Sequence, residues 1–304
     1  MYRLGGFGLG QIVRYLRPVG NPLLRREQRE FPALHEFILR PYVNCRWGLR
    51  RRLHEIANHY ALVQGRVPFF DIHNGEWRDL TQYDVAGTPL RIVMDRPAWM
   101  RGEGQLAISL FYGRDRIYTA MLHLSGTPED LQLIVGNLQG DGRDRLALYK
   151  TLTKALHGMR PRDFLIHIVR ILAGELHCSE LLGITDAAHR SSHRLSRAEK
   201  LATYDEMWLE HGAVSRPGSA FFSLSPGLRK RSSDEIPANK RGLYRRRYQL
   251  LEELQLRLRE RIGAPHYRPG GADGAEVGAE SGADAAAGRV TTRALRSGMY
   301  SAPR

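Results

Sequence analysis

Leu131-Gln132-Leu133-Ile134-Val135-Gly136-Asn137-Leu138-Gln139-Gly140-Asp141-Gly142 is the stretch that decides the fold. From Leu131 to Leu138 it is almost continuously apolar, as in a strand covered on both faces, and the glycines that follow let the chain turn out of a sheet. Upstream, Leu106, Ile108, Leu110 and Tyr112 alternate with smaller residues, Gly113-Arg114-Asp115-Arg116 supplies a turn, and residues 117–124 resume an extended pattern. That pattern is a β-hairpin. Downstream, Leu146, Tyr149, Leu152 and Leu156 mark one helical face, Gly158 and Pro161 interrupt it, and Phe164, Leu165, Ile168, Leu172 and Leu176 mark a second. Residues 181–185 read as another buried strand. Ser196 with Glu199 forms a capping box opening a helix that runs to Glu210, where Gly212 stops it. A short strand at 220–224 and a helix at 237–262 complete the pattern, the helix carrying Tyr244, Tyr248, Leu251, Leu254 and Leu258 on one side and Arg245, Arg246 and Arg247 elsewhere.

This order predicts an α+β or α/β protein with a central mixed sheet and crossover helices. Residues 1–20 are glycine-rich and expected to be flexible. Residues 21–100 read as a helical N-terminal region, with Phe31, Leu34, Phe37 and Ile38 at helical spacing, followed by irregular strands around 68–93. Residues 101–263 form the α/β core ending in the basic helix. Residues 264–304 are rich in Gly and Ala, with too few large apolar groups to offset the entropy of ordering, so a disordered tail is expected.

The 304 residues are 42% hydrophobic and carry a formal net charge of +14. The hydrophobic content supports a sizeable core, and the charge points to a polyanionic partner or to a solvated basic surface. Even the most apolar segment, 164–176, contains His167, Arg170 and Glu175, so an integral membrane protein is not expected. The N-terminus shows no secretion signal, and Cys45 and Cys178 have no metal-ligand spacing, which predicts free thiols in a reducing compartment. A cytoplasmic protein is expected, with a peripheral place at the inner membrane as the variant. A nucleophile elbow, a Walker loop and a dinucleotide Gly-x-Gly-x-x-Gly are all missing, which argues against hydrolase, NTPase and oxidoreductase readings.

Five phrases occur in one order: Asn137-Leu138-Gln139-Gly140; Thr153-Lys154-Ala155-Leu156-His157-Gly158-Met159-Arg160-Pro161; Leu182-Gly183-Ile184-Thr185 with His189; Tyr204-Asp205-Glu206-Met207-Trp208; and Ile236-Pro237 through Lys240-Arg241 to Tyr244-Arg245-Arg246-Arg247-Tyr248. Together they resemble the VirK/YbjX family across residues 21–262. The resemblance implies a bacterial protein associated with virulence and with resistance to antimicrobial peptides through envelope changes, and it supplies no biochemical activity. Asp186 departs from the asparagine usual after the strand, and the Gly/Ala tail is additional.

The element order also resembles the acyl-coenzyme A N-acyltransferase fold, in which the central strand runs into a loop and helix that cradle a pyrophosphate. A helix N-terminus offers unpaired N–H groups and the positive end of its dipole, and glycine lets phosphate oxygens approach the backbone. Asn137, Gln139, Gly140 and Gly142, with Arg143 and Arg145, are the cofactor-binding candidates for acyl-coenzyme A or a similar thioester; an ordinary tight turn is the alternative. His123 on the hairpin is the candidate base and Tyr204 the candidate acid. Asp205 lies on an apolar stripe and needs a partner: Arg190, Arg194 or an arginine of the last helix as a structural clamp, or a substrate amine. His189, His193 and Asp186 are spaced for a metal, but Arg190 and Arg194 would crowd a cation, so no metal is expected.

Arg160-Pro161-Arg162 and the 240–247 run could meet phosphates. Tyr244 and Tyr248 fall on the apolar side with Leu251, where core packing explains them, which favours a solvated or anionic-lipid-facing surface over nucleic acid. Two functions stand side by side: an acyltransferase-like enzyme acting on an envelope-related acceptor, or a non-catalytic basic protein binding anionic lipid or RNA. The first requires a cleft beside the end of the 131–138 strand.

Overall fold

The computed structural model describes residues 9–17, 20–66, 69–142, 145–192 and 203–263. Its centre is an eight-stranded mixed sheet. β1 (Trp77–Val85), β2 (Thr88–Asp95), β3 (Leu106–Tyr112), β4 (Asp115–Gly126) and β5 (Leu131–Gly140) form an antiparallel meander. β6 (Glu180–Ile184) then runs parallel to β5, and β7 (Val214–Ser215) and β8 (Phe221–Leu224) complete the order β1-β2-β3-β4-β5-β6-β8-β7. A parallel pair needs a crossover connection, here supplied by α5 (Leu146–Ala155) and α6 (Pro161–Glu175). The mixed sheet with crossover helices expected from the sequence is thus observed.

β4 and β5 are buried along nearly their whole length because both sheet faces are covered. On one face, Phe164, Leu165, Ile168 and Leu172 of α6 and Leu251, Leu254 and Leu258 of α8 (Arg241–Gly263) share a core with Leu106, Ile108, Leu122, Leu133 and Val135. On the other, α1 (Leu9–Leu16), α2 (Pro22–Glu30), α3 (Glu36–Leu39) and α4 (Leu49–Gln64) bring Tyr15, Leu24, Phe37, Leu53 and Ile56 against Tyr42 and Ile134. Each such apolar side chain contributes about 1.5–3 kcal/mol.

Several elements differ from the sequence expectation. Within the stretch expected to be flexible, α1 is a packed helix: Tyr15 is buried and its carbonyl accepts from Gln28 Nε2 at 2.6 Å. The irregular strands expected around 68–93 include a β1–β2 hairpin with one register shift, between Asp79 and Thr81, turned by Ala86 (φ 53) and Gly87 (φ 77), a left-handed pair that matches strand twist. The Ser196/Glu199 capping box lies outside the described residues. The helix in that region, α7 (Tyr204–Glu210), is capped by Thr203, whose hydroxyl accepts the Glu206 N–H at 3.2 Å, the same Thr-x-x-Glu logic seven residues later.

The N-terminal helices are tied to the sheet by a buried charge cluster. Glu27 of α2 lies 2.5 Å from Arg96 and 2.5 Å from Arg101, all three within the core. Arg96 also donates to the Ile72 carbonyl at 2.9 Å and the Tyr60 hydroxyl at 2.7 Å, while Arg101 stacks over Phe31 at 4.7 Å.

Two histidines are held neutral by burial. His59 on α4 accepts the Leu124 N–H at 3.0 Å, and desolvation with nearby His123 and two arginines drives its pKa well below the ordinary value. His167 on α6 is lowered from 6.5 to about 3, first by desolvation and then by His211 and Arg170. Folded-state values below the unfolded one mean that this stability is present above pH 6.5 and is lost as pH falls towards about 3. We expect His167→Asn to flatten the pH dependence of the urea midpoint in that window by about one proton of linkage. An unchanged slope would refute the assignment.

Candidate functional site

β5 and β6 pair only from Gln132↔Glu180 to Val135↔Gly183; past that point β6 ends at Ile184 while β5 continues to Gly140. On its other side β5 stays paired with β4, but the register shifts so that Leu122 faces Val135 and Met121 faces Asn137, leaving Gly136 as the extra residue of a β-bulge. Glycine is required there, since a Cβ would lie 2.0 Å from the Glu103 carbonyl oxygen. The result is a fork between β5 and β6 with Leu138 backbone groups on its inner edge.

Tyr204, at the first turn of α7, reaches into the fork. Its hydroxyl accepts the Leu138 N–H at 3.2 Å and donates to Asn137 Oδ1, with the Leu138 carbonyl 3.4 Å away. Asn137 Nδ2 in turn donates to Glu103 Oε2. His189 stacks on the Tyr204 ring at 5.1 Å. Burial raises the Tyr204 hydroxyl pKa, so it stays protonated at neutral pH. Burial also raises the Glu103 pKa, opposed by the Asn137 hydrogen bond and by Arg190. The fork therefore brings together a tyrosine hydroxyl, a carboxyl group whose pKa burial raises and a strand edge.

α7 is held across the fork by backbone-directed contacts. Asp205 Oδ1 accepts the Asp186 N–H at 2.8 Å and Asp186 Oδ2 accepts the Asp205 N–H at 3.3 Å. Among the described residues, Asp205 is thus met by the start of the loop after β6, and its carboxylate sits in the first turn of α7, where the helix dipole favours it. Trp208 lies flat on Gly183, where a Cβ would be 2.3 Å from its ring, and its Nε1 donates to the Ile184 carbonyl at 2.9 Å.

Of the residues named from sequence, Asn137, Tyr204 and Asp205 meet here. His123 does not join them. It is 0% exposed beneath α4, with Nδ1 2.9 Å from the Tyr42 hydroxyl and Nε2 3.1 Å from Glu55, which also accepts from Ser125 at 2.8 Å. Gln139 is exposed, Gly140 abuts the Tyr118 ring and Gly142 has φ +116. Arg143 lies outside the described residues, as do His193 and Arg194. Arg145 is bound to Asp115 at 2.6 Å and to Asp141 at 2.9 Å, so its charge is already matched by carboxylates. Neither cysteine is in a disulfide, and burial pushes the Cys178 thiol up to about 12. Among the described residues, no group of three or more His, Cys, Asp or Glu side chains is gathered for a metal ion, and no helix is long and apolar enough to cross a membrane.

Glu103 is the site residue that sequence reading missed. Its local signal is a carboxylate between Gly102 and Gly104 just ahead of β3, and Gly104 approaches Leu122 so closely that a Cβ would lie 2.6 Å from its carbonyl oxygen.

The meander, the single parallel pair and the bulged fork define a mixed α/β protein. The chain belongs to the VirK/YbjX family: the family model described as "Protein of unknown function (DUF535)" matches residues 10–260. It is similar to the uncharacterised protein YbjX of Escherichia coli, 25% identical over 252 residues, covering 77% of this chain and 72% of that protein. Two uncharacterised proteins of Haemophilus influenzae are 32% identical over 130 residues and 30% over 116, covering 42% and 38% of this chain. The chain spans less than half the length of these two relatives, 44% and 38%.

Proposed function

We propose that the fork between β5 and β6 is the site of an acyltransferase-type enzyme that takes an acyl thioester such as acyl-coenzyme A as donor. The observation that carries this reading is the bulge at Gly136 with loss of pairing past Val135↔Gly183, which leaves the Leu138 backbone facing Tyr204. An extended, amide-bearing thioester arm can add along such an edge as a further strand would, trading the tyrosine hydroxyl for its own amides. The reading also draws, as fold-level analogy only, on the order of an antiparallel meander passing into a parallel strand through a glycine loop and helices.

In this reading an acceptor amine or hydroxyl attacks the thioester carbonyl, Glu103 takes its proton, the C–S bond breaks and Tyr204 protonates the departing thiolate. The acceptor proposed is an envelope-related molecule, in keeping with the family resemblance. His123 serves structure, bridging β4 to α4 through Glu55.

Calorimetric titration with acetyl-coenzyme A tests the proposal. Saturable heat is expected from the wild type, and Tyr204→Phe should keep binding while slowing thiol release by about a hundredfold. Absence of heat from the wild type at millimolar ligand ends the reading.

A further inference from the structure

On the face of the sheet covered by α6 and α8, a cavity of about 310 Å³ lies between the α6 N-terminal half, the end of α7 and the start of α8. Arg170, Arg229, Arg231 and Arg247 all line it, and among the described residues none of the four has a carboxylate within ion-pair distance. Arg170 is the most telling. It is 3% exposed, its two terminal nitrogens donate to the His211 carbonyl at 3.1 Å and the Ser225 carbonyl at 2.9 Å, and its Nε has no partner. A buried guanidinium matched only by carbonyl dipoles is an uncompensated charge, which is costly unless an anion completes it.

The other cations are held in place by neighbours that do not neutralise them. Arg247 donates to the His157 carbonyl at 3.1 Å and stacks on the Tyr244 ring at 4.4 Å. Arg231 reaches the Tyr244 hydroxyl at 3.4 Å. Arg229 packs on Gly212, where a Cβ would lie 2.0 Å from one of its nitrogens. Two carboxylates also line the cavity, but both are engaged: Arg162 lies 3.2 Å from Asp163 and 2.8 Å from Glu210, and His211 is 3.4 Å from Asp163. Met159, Leu209 and Tyr248 supply apolar wall. A volume of this size exceeds one phosphate group and admits an attached organic body.

We infer that this cavity is a binding site for a phosphorylated small molecule, with Arg170 at its base and Arg229, Arg231 and Arg247 around the phosphate. Guanidinium forks match phosphate oxygens in geometry as well as in charge. The site is separate from the fork, so it stands or falls independently of the acyl-transfer reading.

The test is calorimetric titration of the full chain in chloride buffer with inorganic pyrophosphate and with inorganic phosphate. Saturable binding is expected, tighter for pyrophosphate, and the Arg229→Ala/Arg231→Ala double variant should raise Kd by about tenfold or more. Both arginines are exposed, so folding of that variant is secured by its circular dichroism and melting point; Arg170→Met gives a second, more severe reading. Arg245→Ala/Arg246→Ala removes exposed charge from the same helix without touching the cavity and should leave Kd unchanged. Three outcomes overturn the inference: no saturable heat from the wild type, equal weakening by the Arg245/Arg246 control, or binding of phosphatidylglycerol vesicles that depends on Arg229 and Arg231 while soluble phosphates do not bind.

Discussion

Glu27→Gln is expected to lower the free energy of unfolding by about 3–5 kcal/mol, a large share of the roughly 5–15 kcal/mol available to a folded domain. The reason is local charge balance. Glu27 is 1% exposed and supplies the carboxylate between Arg96 and Arg101, at 2.5 Å from each. Glutamine fills the same space and can accept from one arginine, but two buried guanidiniums then remain without a counter-charge. Tyr60 and Gln105 offer Arg101 only neutral acceptors, at 3.1 Å and 2.6 Å. Equilibrium denaturation with guanidinium chloride measures the change; a loss below about 1 kcal/mol would show that the cluster does not fasten α2 to the sheet.

Gly136→Ala is expected to cost about 3 kcal/mol and to disturb the fork selectively. The added Cβ would meet the Glu103 carbonyl oxygen at 2.0 Å, and the carbonyl belongs to backbone that has little room to retreat. On one side Arg101 is locked to Glu27, and on the other Gly104 is pressed against Leu122. Relief must come from β5, by flattening the bulge or shifting Asn137 and Leu138, at the upper end of the cost of overpacking. The Leu138 amide, which donates to Tyr204, should then lose protection against hydrogen exchange more than the amides of β3. Unchanged stability together with unchanged Leu138 exchange would remove the bulge from the account of the site.

The central part of the fold is legible in the sequence because its signals are local. The 131–138 apolar run, the alternation at 106–112 and the Gly158 and Pro161 interruption each specify an element without knowledge of its neighbours. β1 is harder to read: it is an edge strand, its burial rises only at Leu80 and Val85, and residues such as Asp79, Gln82 and Asp84 hide the alternation. The site is legible by halves. Asn137 and Tyr204 could be named from phrases and from chemistry, but their meeting at Leu138, and the arrival of Glu103, depend on how β5, the turn before β3 and α7 come together in space. His123 shows the converse, a titratable side chain on a strand whose sequence position does not reveal the four N-terminal helices that cover it.

The pairing of β5 with β6 has a kinetic consequence. Among β1 to β5 the longest connection is the 96–105 segment between β2 and β3 and the others are tight turns, so each new strand meets its neighbour after closing a comparatively small loop, whereas Gln132 meets Glu180 only after the chain has travelled through α5 and α6. The entropy of closing that larger loop is met before its contacts repay it, which delays this pairing relative to the hairpins. The meander is therefore the early scaffold. The fork, assembled from residues 103, 137, 186 and 204, closes among the last contacts on the folding route, and a chain interrupted in synthesis after β5 would carry the glycine loop without the partner strand and helix that give it a use.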